Sequence, residues 1–257
     1  MNRKNALFIC LALLTLGTAV SARAQTAEEI LKKVDAAMSG PAAARDMESV
    51  MTMTIVSASG TIKTRRLRVW SQAVAGEESR RLMKFLSPPD VRDIGFLTLA
   101  DDQMYLYLPE FRRIRRIASH NKNGSFVGSD FSYEDLSASA FFGSYVPALA
   151  EQDAKTWTLD LERMPGADKL YKKIRLVASK EACLPVRMEL HDDAGTLVKV
   201  EEQENGRAGK YWVPVLIRMK DVKAGSRTEL AMGDIKVDRG LADEVFSQRN
   251  LQRRAQE

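Results

Sequence analysis

The chain contains only two histidines, His120 and His191, and two cysteines, Cys10 and Cys183. The histidines stand far apart, one in a loop-like stretch and one at a strand end, so they do not pair for general acid–base work. With one mature thiol they cannot complete a zinc set without several carboxylates, so no metal and no cofactor is expected. No Gly-x-Ser-x-Gly, His-Glu-x-x-His, Walker or dinucleotide fingerprint occurs. Three acidic pairs remain, Asp101-Asp102, Asp192-Asp193 and Glu201-Glu202. Each lies near a turn or on what reads as an exposed strand face, and all three are expected to be solvated. No catalytic residue is expected, and the protein is read as not an enzyme. Cys183, in Ala182-Cys183-Leu184-Pro185 before a strand-like run, reads as a small buried hydrophobe.

The densest charge is Phe111-Arg112-Arg113-Ile114-Arg115-Arg116-Ile117. A strand here puts Arg113 and Arg115 on one face and Arg112, Ile114 and Arg116 on the other. The four arginines read either as an anion-binding stripe for lipid headgroups or an acidic partner, or as a solvated face paired with Asp130, Glu134 and Asp135.

These residues need a frame, and composition bounds it. In 257 residues, 45% are hydrophobic and 28% charged, an ordinary globular balance. The formal charge of +5 invites a nucleic-acid reading. Residues 1–24 weaken it, because they hold Arg3, Lys4 and Arg23 and no acid, and their removal leaves about +2. A near-neutral chain is a poor binder of nucleic acid through bulk charge. Those residues have the form of a signal peptide: a basic start, an apolar run from Ala6 to Val20, and Ala22-Arg23-Ala24 before Gln25. The run is shorter than the ~20 residues of a spanning helix. Cleavage near Ala24/Gln25, a periplasmic location and no later transmembrane segment are expected, with residues 25–257 forming one domain.

Thr26-Ala27-Glu28-Glu29 has the form of a capping box, and Ile30, Leu31, Val34 and Met38 follow at helical spacing. A helix over 26–38 is predicted. Most of the rest alternates as strand: 48–56, 61–71, 78–86, 94–100, 103–108, 111–117, 155–163, 171–179, 184–192, 196–204, 211–220 and 227–237. The fold class is mainly β, an antiparallel sheet of about eleven short strands, curled or closed. The break at 118–154 holds Phe126, Phe131, Tyr133, Phe141, Phe142 and Tyr145, with a helical stretch from Glu134 to about Phe142. Such a long aromatic connection reads as a lid over the open side of the sheet.

The blocks Tyr105-Leu106-Tyr107-Leu108-Pro109, Arg112–Ile117 and Gly128-Ser129-Asp130-Phe131-Ser132-Tyr133-Glu134-Asp135-Leu136 resemble the signature of the LolA-like, outer-membrane lipoprotein-sorting family. The resemblance covers essentially the whole mature chain. It implies an incomplete antiparallel β-barrel whose open side is covered by helices, as in LolA and LolB, and a hydrophobic cavity for acyl chains. Its implied partners are a lipid or lipoprotein acyl chain, a transporter of the resistance-nodulation-division type and an outer-membrane acceptor.

Two functions compete. One is a carrier that shields an acyl chain in transit between membranes or to and from a transporter. The other is an interaction module or accessory transporter subunit with a filled core. For the carrier, Trp70, Met83, Phe85, Tyr105 and Tyr107 are expected to line the cavity, with Phe141 and Phe142 in its lid. The strand methionines Met51, Met53, Met83, Met104, Met188, Met219 and Met232 suit a wall that re-packs around an irregular apolar ligand.

Overall fold

The amphipathic segment after Thr26 forms helix α1 (Ala27–Met38), and both capping-box bonds are made. Glu29 N donates to Thr26 Oγ1 at 3.2 Å, and Thr26 N donates to Glu29 Oε2 at 3.0 Å. Ile30, Leu31 and Val34 are buried, whereas Met38 is half-exposed at the helix end. The computed structural model describes residues 25–73, 79–99, 103–137 and 140–255. The predicted signal segment 1–24 and the pair Asp101-Asp102 lie outside them.

Thirteen strands follow in chain order: β1 (Asp46–Val56), β2 (Ile62–Gln72), β3 (Arg80–Ser87), β4 (Gly95–Thr98), β5 (Met104–Leu108), β6 (Arg113–Ile117), β7 (Tyr145–Gln152), β8 (Thr156–Arg163), β9 (Lys173–Ser179), β10 (Pro185–His191), β11 (Leu197–Ala208), β12 (Tyr211–Asp221) and β13 (Arg227–Val237). The chain enters the sheet at its middle and walks by successive hairpins from β1 to the edge strand β6. It then crosses to the opposite edge at β7 and walks back, until β13 pairs with β1. All twelve pairings are antiparallel. The sheet is not closed, because β6 and β7 do not pair. The crossover 118–144 connects the two edge strands β6 and β7.

The expectation of about eleven strands falls short because β7 was hidden inside the 118–154 break. It is an edge strand, its residues after Tyr145 are mostly exposed, and it carries Pro147, which an edge tolerates. The helix expected from Glu134 to about Phe142 is also corrected. Residues 133–136 form turns, and Phe142 makes an isolated bridge with Tyr145. Ser132 is the reason for the turn: its Oγ accepts from Asp135 N at 3.1 Å, and Asp135 Oδ2 accepts from Ser132 N at 2.7 Å. Thus α1 is the one helix of more than four residues among those described, and the rest of the cover is irregular chain.

Alternation along each strand sends one set of side chains inward. Met53, Leu67, Phe85, Phe96, Leu106, Leu159, Leu176 and Leu230 meet α1 in one cluster. The crossover enters that cluster through Phe126, Phe131 and Leu136. The Phe126 ring sits 5.7 Å from Phe85 and 5.4 Å from Phe96, and Tyr133 lies 5.5 Å from Phe96. Each buried phenylalanine contributes ~1.5–3 kcal/mol, so these rings hold the crossover down. Asp130 pins it further, accepting from Thr228 Oγ1 at 2.5 Å and from Ser226 Oγ.

The outer face of β3–β5 carries a second, smaller cluster. There the short helix α2 (Gln248–Leu251) and the turn before it lay Phe246 and Leu251 on Leu82, Leu97 and Tyr107. Gly95 permits the approach, because a Cβ there would stand 2.6 Å from Leu251 Cδ1. Buried Lys84 donates from Nζ to the Arg253 carbonyl, and burial pushes its ammonium down to about 8. Asp46 anchors the segment before α2 by accepting from Arg239 N at 2.7 Å, Gly240 N at 2.9 Å and Leu241 N at 3.2 Å.

Candidate functional site

Between the inner face of the sheet, the end of α1 and the crossover lies a cavity of about 250 Å³. That is close to the lower end of the ~300–1,000 Å³ common for small-molecule sites. Its walls are unusually rich in thioethers: Met38, Met47, Met51, Met83, Met188 and Met232 all face it. Of the strand methionines singled out by sequence, Met51, Met83, Met188 and Met232 line the cavity, while Met53, Met104 and Met219 are filled core. Trp212, Phe131, Tyr145 and Tyr171 supply the aromatic part of the wall.

The predicted site residues divide by face. Met83 and Phe141 line the cavity. Phe85 points inward but is fully buried against Phe126 rather than facing open space. Phe142 is not part of the lining: it is 44% exposed, with the Lys32 ammonium 4.3 Å above its ring. Trp70, Tyr105 and Tyr107 do not face the cavity. They point to the outer side and pack with the cluster that includes Phe246 and Leu251. On β5 the inward residues are Met104 and Leu106, so the lining expectation chose the wrong face of that strand.

Arg112, Arg113, Arg115 and Arg116 are all exposed, on and beside the edge strand β6. The carboxylates expected beside them are engaged elsewhere. Asp130 is held by β13, Glu134 accepts from Leu170 N at 2.9 Å, and Asp135 pairs with Lys199.

Polar groups enter the cavity both from the crossover, through Glu134, Asp135 and Ser137, and from the sheet, among them Arg81, Glu201 and Gln203. Asp135 is the centre: it accepts from Tyr171 Oη at 2.7 Å and from Lys199 Nζ at 2.7 Å. Its side chain is 4% exposed, so this is a buried ion pair with every oxygen occupied. Burial and the adjacent Asp135 charge raise the Tyr171 phenol well above its ordinary value. Glu134 is raised as well, by burial, against the opposing Leu170 N–H and Lys169. Arg81 reaches across from β3 and donates from Nη1 to the Leu136 carbonyl at 3.0 Å, with burial pulling its guanidinium below the usual value. On α1, buried Asp35 accepts from Phe141 N at 3.0 Å and Phe142 N at 2.8 Å, tying the helix to the end of the crossover. Desolvation raises this carboxyl above the ordinary range.

Glu201 departs furthest from its sequence reading. Glu202 is exposed and pairs with Arg187 at 2.8 Å, as a solvated pair should. Glu201 turns inward, is 8% exposed and lines the cavity. Burial first, then the Asp135 charge, push its carboxyl up to about 8, while Lys199 pulls it down. Asp192 and Asp193 do behave as surface groups: Asp192 accepts from Ala194 N and Thr196 N in its turn, and Asp193 pairs with Arg163. Cys183 is half-buried against the core with φ +53°, and burial pushes its thiol up. Asp35, Lys199, Tyr171 and Trp212 are thus site residues that sequence did not single out, while Glu201 was expected to be solvated.

Among the described residues no helix is long and apolar enough to cross a membrane. No group of three or more His, Cys, Asp or Glu in them could hold a metal ion.

A family model described as "Uncharacterized protein" (-like) matches residues 77–253. No curated protein matches. Among solved structures, a Vibrio parahaemolyticus domain described as belonging to an outer membrane lipoprotein-sorting protein superposes with a TM-score of 0.78 at 29% identity. It covers 88% of this chain and 100% of its own. A DUF1329 family protein from Desulfovibrio piger gives 0.80 at 23% identity over 89% of this chain and 100% of that one. A LolA superfamily protein from Nitrosomonas europaea gives 0.69 at 21% identity over 88% and 100%. The gapped thirteen-strand sheet, the bridging crossover and the cavity beneath it therefore have a lineage: the chain belongs to the family that this model defines, and its fold is that of the LolA superfamily and its outer membrane lipoprotein-sorting domains.

Proposed function

We propose that this protein is a periplasmic, non-catalytic carrier that shields an acyl chain of a lipid or lipoprotein in the cavity under the crossover. The observation that carries this reading is the methionine-rich cavity itself, enclosed by sheet, α1 and crossover. An acyl chain gains ~0.8 kcal/mol per methylene removed from water. Ten buried methylenes therefore yield ~8 kcal/mol before the ordering costs of binding, enough to hold cargo across an aqueous gap. Met side chains re-pack at little cost, which suits cargo of irregular shape. An interaction module with a filled core would have no use for that space.

The exposed arginines on the open edge favour a docking role beside the carrier role. Phe111, in the turn that precedes them, is 60% exposed. Arg112, Arg113, Arg115 and Arg116 would meet anionic headgroups or an acidic face of a donor transporter or an outer-membrane acceptor.

The test is uptake of a fluorescent fatty acid by the purified mature protein and by Met188→Trp and Met232→Trp, which fill the cavity. Saturable one-to-one uptake by the wild type, lost in filled variants that melt like the wild type, is expected. Equal uptake by all three would refute the carrier reading.

A further inference from the structure

Every other buried carboxylate in the inner half of the molecule has its partners. Asp35 accepts two backbone N–H groups, and Asp135 takes a phenol, an ammonium and an N–H. Glu201 is different. It is 8% exposed, it faces the cavity, and among the described residues it accepts no hydrogen bond. Its cross-strand neighbours on the inner face are Met188 on β10 and Met219 on β12, which offer no donor. The nearby Lys199 ammonium pairs with Asp135 at 2.7 Å and acts on Glu201 through its charge, with no hydrogen bond to it among the described residues. A carboxyl in such a wall must either stay neutral or find its partner in what fills the cavity.

Resting on the carrier reading, we propose that Glu201 is a polar subsite of the cavity: as a neutral carboxylic acid it donates a hydrogen bond to an uncharged oxygen of the cargo. The fitting chemistry is the carbonyl of an ester beside an acyl chain, which accepts a hydrogen bond and has none to donate. The charges that face Glu201 decide against the other classes. From its own strand comes Lys199, from the crossover Asp135, and Tyr171 donates its hydrogen bond to Asp135. Lys199 and Asp135 cancel each other at 2.7 Å. A cationic headgroup would stand beside the Lys199 ammonium, and an anionic one beside Asp135. An uncharged oxygen leaves that pair intact and asks only for the proton that Glu201 already holds. Glu134, Lys169 and Arg81 also line the cavity; Glu134 is tied to the Leu170 N–H and Arg81 to the Leu136 carbonyl.

The Glu201 carboxyl is held at about 8, so the donor is present at neutral pH and is lost as pH rises through that value. Binding of neutral lipid should follow the same course.

The experiment measures methyl laurate, an acceptor with no donor, and dodecylamine as competitors for a neutral fluorescent dye, from pH 6 to 9.5. The proteins are wild type, Glu201→Gln and Glu201→Leu, each checked by its melting midpoint. Wild type should bind methyl laurate about tenfold more weakly at pH 9.5 than at pH 6. Glu201→Gln, which keeps a neutral donor and cannot ionise, should bind within threefold of the wild type at pH 6 and show no pH dependence. Glu201→Leu should bind methyl laurate about tenfold more weakly at pH 6 while still binding the dye. A flat wild-type profile, or unchanged methyl laurate binding by Glu201→Leu, would overturn the subsite. So would dodecylamine binding tenfold more tightly than methyl laurate through Glu201. Failure of the dye itself to bind the wild type would overturn the carrier reading, and the subsite with it.

Discussion

Removing the ionisable group at Glu201 should stabilise the protein, and only above the ordinary glutamate range. The folded carboxyl sits at about 8 against an ordinary 4.5, with burial the largest cause. Between those values the unfolded chain has lost its proton while the folded protein keeps it. Wild-type stability therefore falls as pH rises from about 4.5 to about 8 and levels off above. At ~1.36 kcal/mol per pH unit, the full window corresponds to ~5 kcal/mol. Water admitted to the cavity lowers this, so a gain of ~2–5 kcal/mol is expected for Glu201→Gln at pH 8.5, and none at pH 4. Asp35 and Glu134 are also raised, but both are present in each protein and drop out of the difference. Urea denaturation of both proteins at pH 4, 6 and 8.5 measures it, with equal m-values as the check that only stability changed. Parallel pH profiles for the two would refute the burial of this carboxyl in an unpartnered wall.

Leu251→Ala removes the side chain that seats α2 over Gly95 on the outer face, and should cost ~2–5 kcal/mol in chemical denaturation. Lipid uptake per folded molecule should not change. Asp35→Ala strips the acceptor from Phe141 N and Phe142 N, which can partly rehydrate, so the loss should be ~2–3 kcal/mol. It should also speed uptake of a fluorescent fatty acid in stopped flow, because the crossover loses its tie to α1. Phe142→Ala touches a half-exposed ring under Lys32 and should cost only ~0.5–1 kcal/mol, read from the melting midpoint.

How much of this was legible in the sequence depended on whether a residue's fate was set locally. The capping box at Thr26 and Glu29 is local, and the helix stands where the pattern placed it. The twelve strand candidates are local too, because alternation over a few residues suffices. β7 was not, since its pairing comes from β8 and its own residues are mostly exposed. β5 shows a second limit. Met104, Leu106 and Tyr107 are all buried, so period two gives no preference for a face. The outer face is covered only because a segment more than a hundred residues away docks there, placing Tyr105 and Tyr107 away from the cavity. Glu201 shows the third. Two adjacent glutamates on a strand must point to opposite faces, so one of them had to turn inward. That signal lay in the pair itself, although which one turned in depends on the register with Met188 and Met219.

The most direct test of a cargo chain in the cavity uses two tryptophans on opposite faces of the sheet. Trp212 lines the cavity, while Trp70 packs on the outer side with the cluster under the C-terminal segment. Two variants, each keeping one of them and carrying phenylalanine at the other tryptophan positions, would be titrated with a fatty acid brominated along its chain. Bromine quenches a tryptophan in contact with it. Strong saturable quenching of Trp212 with Trp70 left bright is the predicted result. Equal quenching of both, or quenching of Trp70 alone, would place the chain outside the cavity and contradict the account.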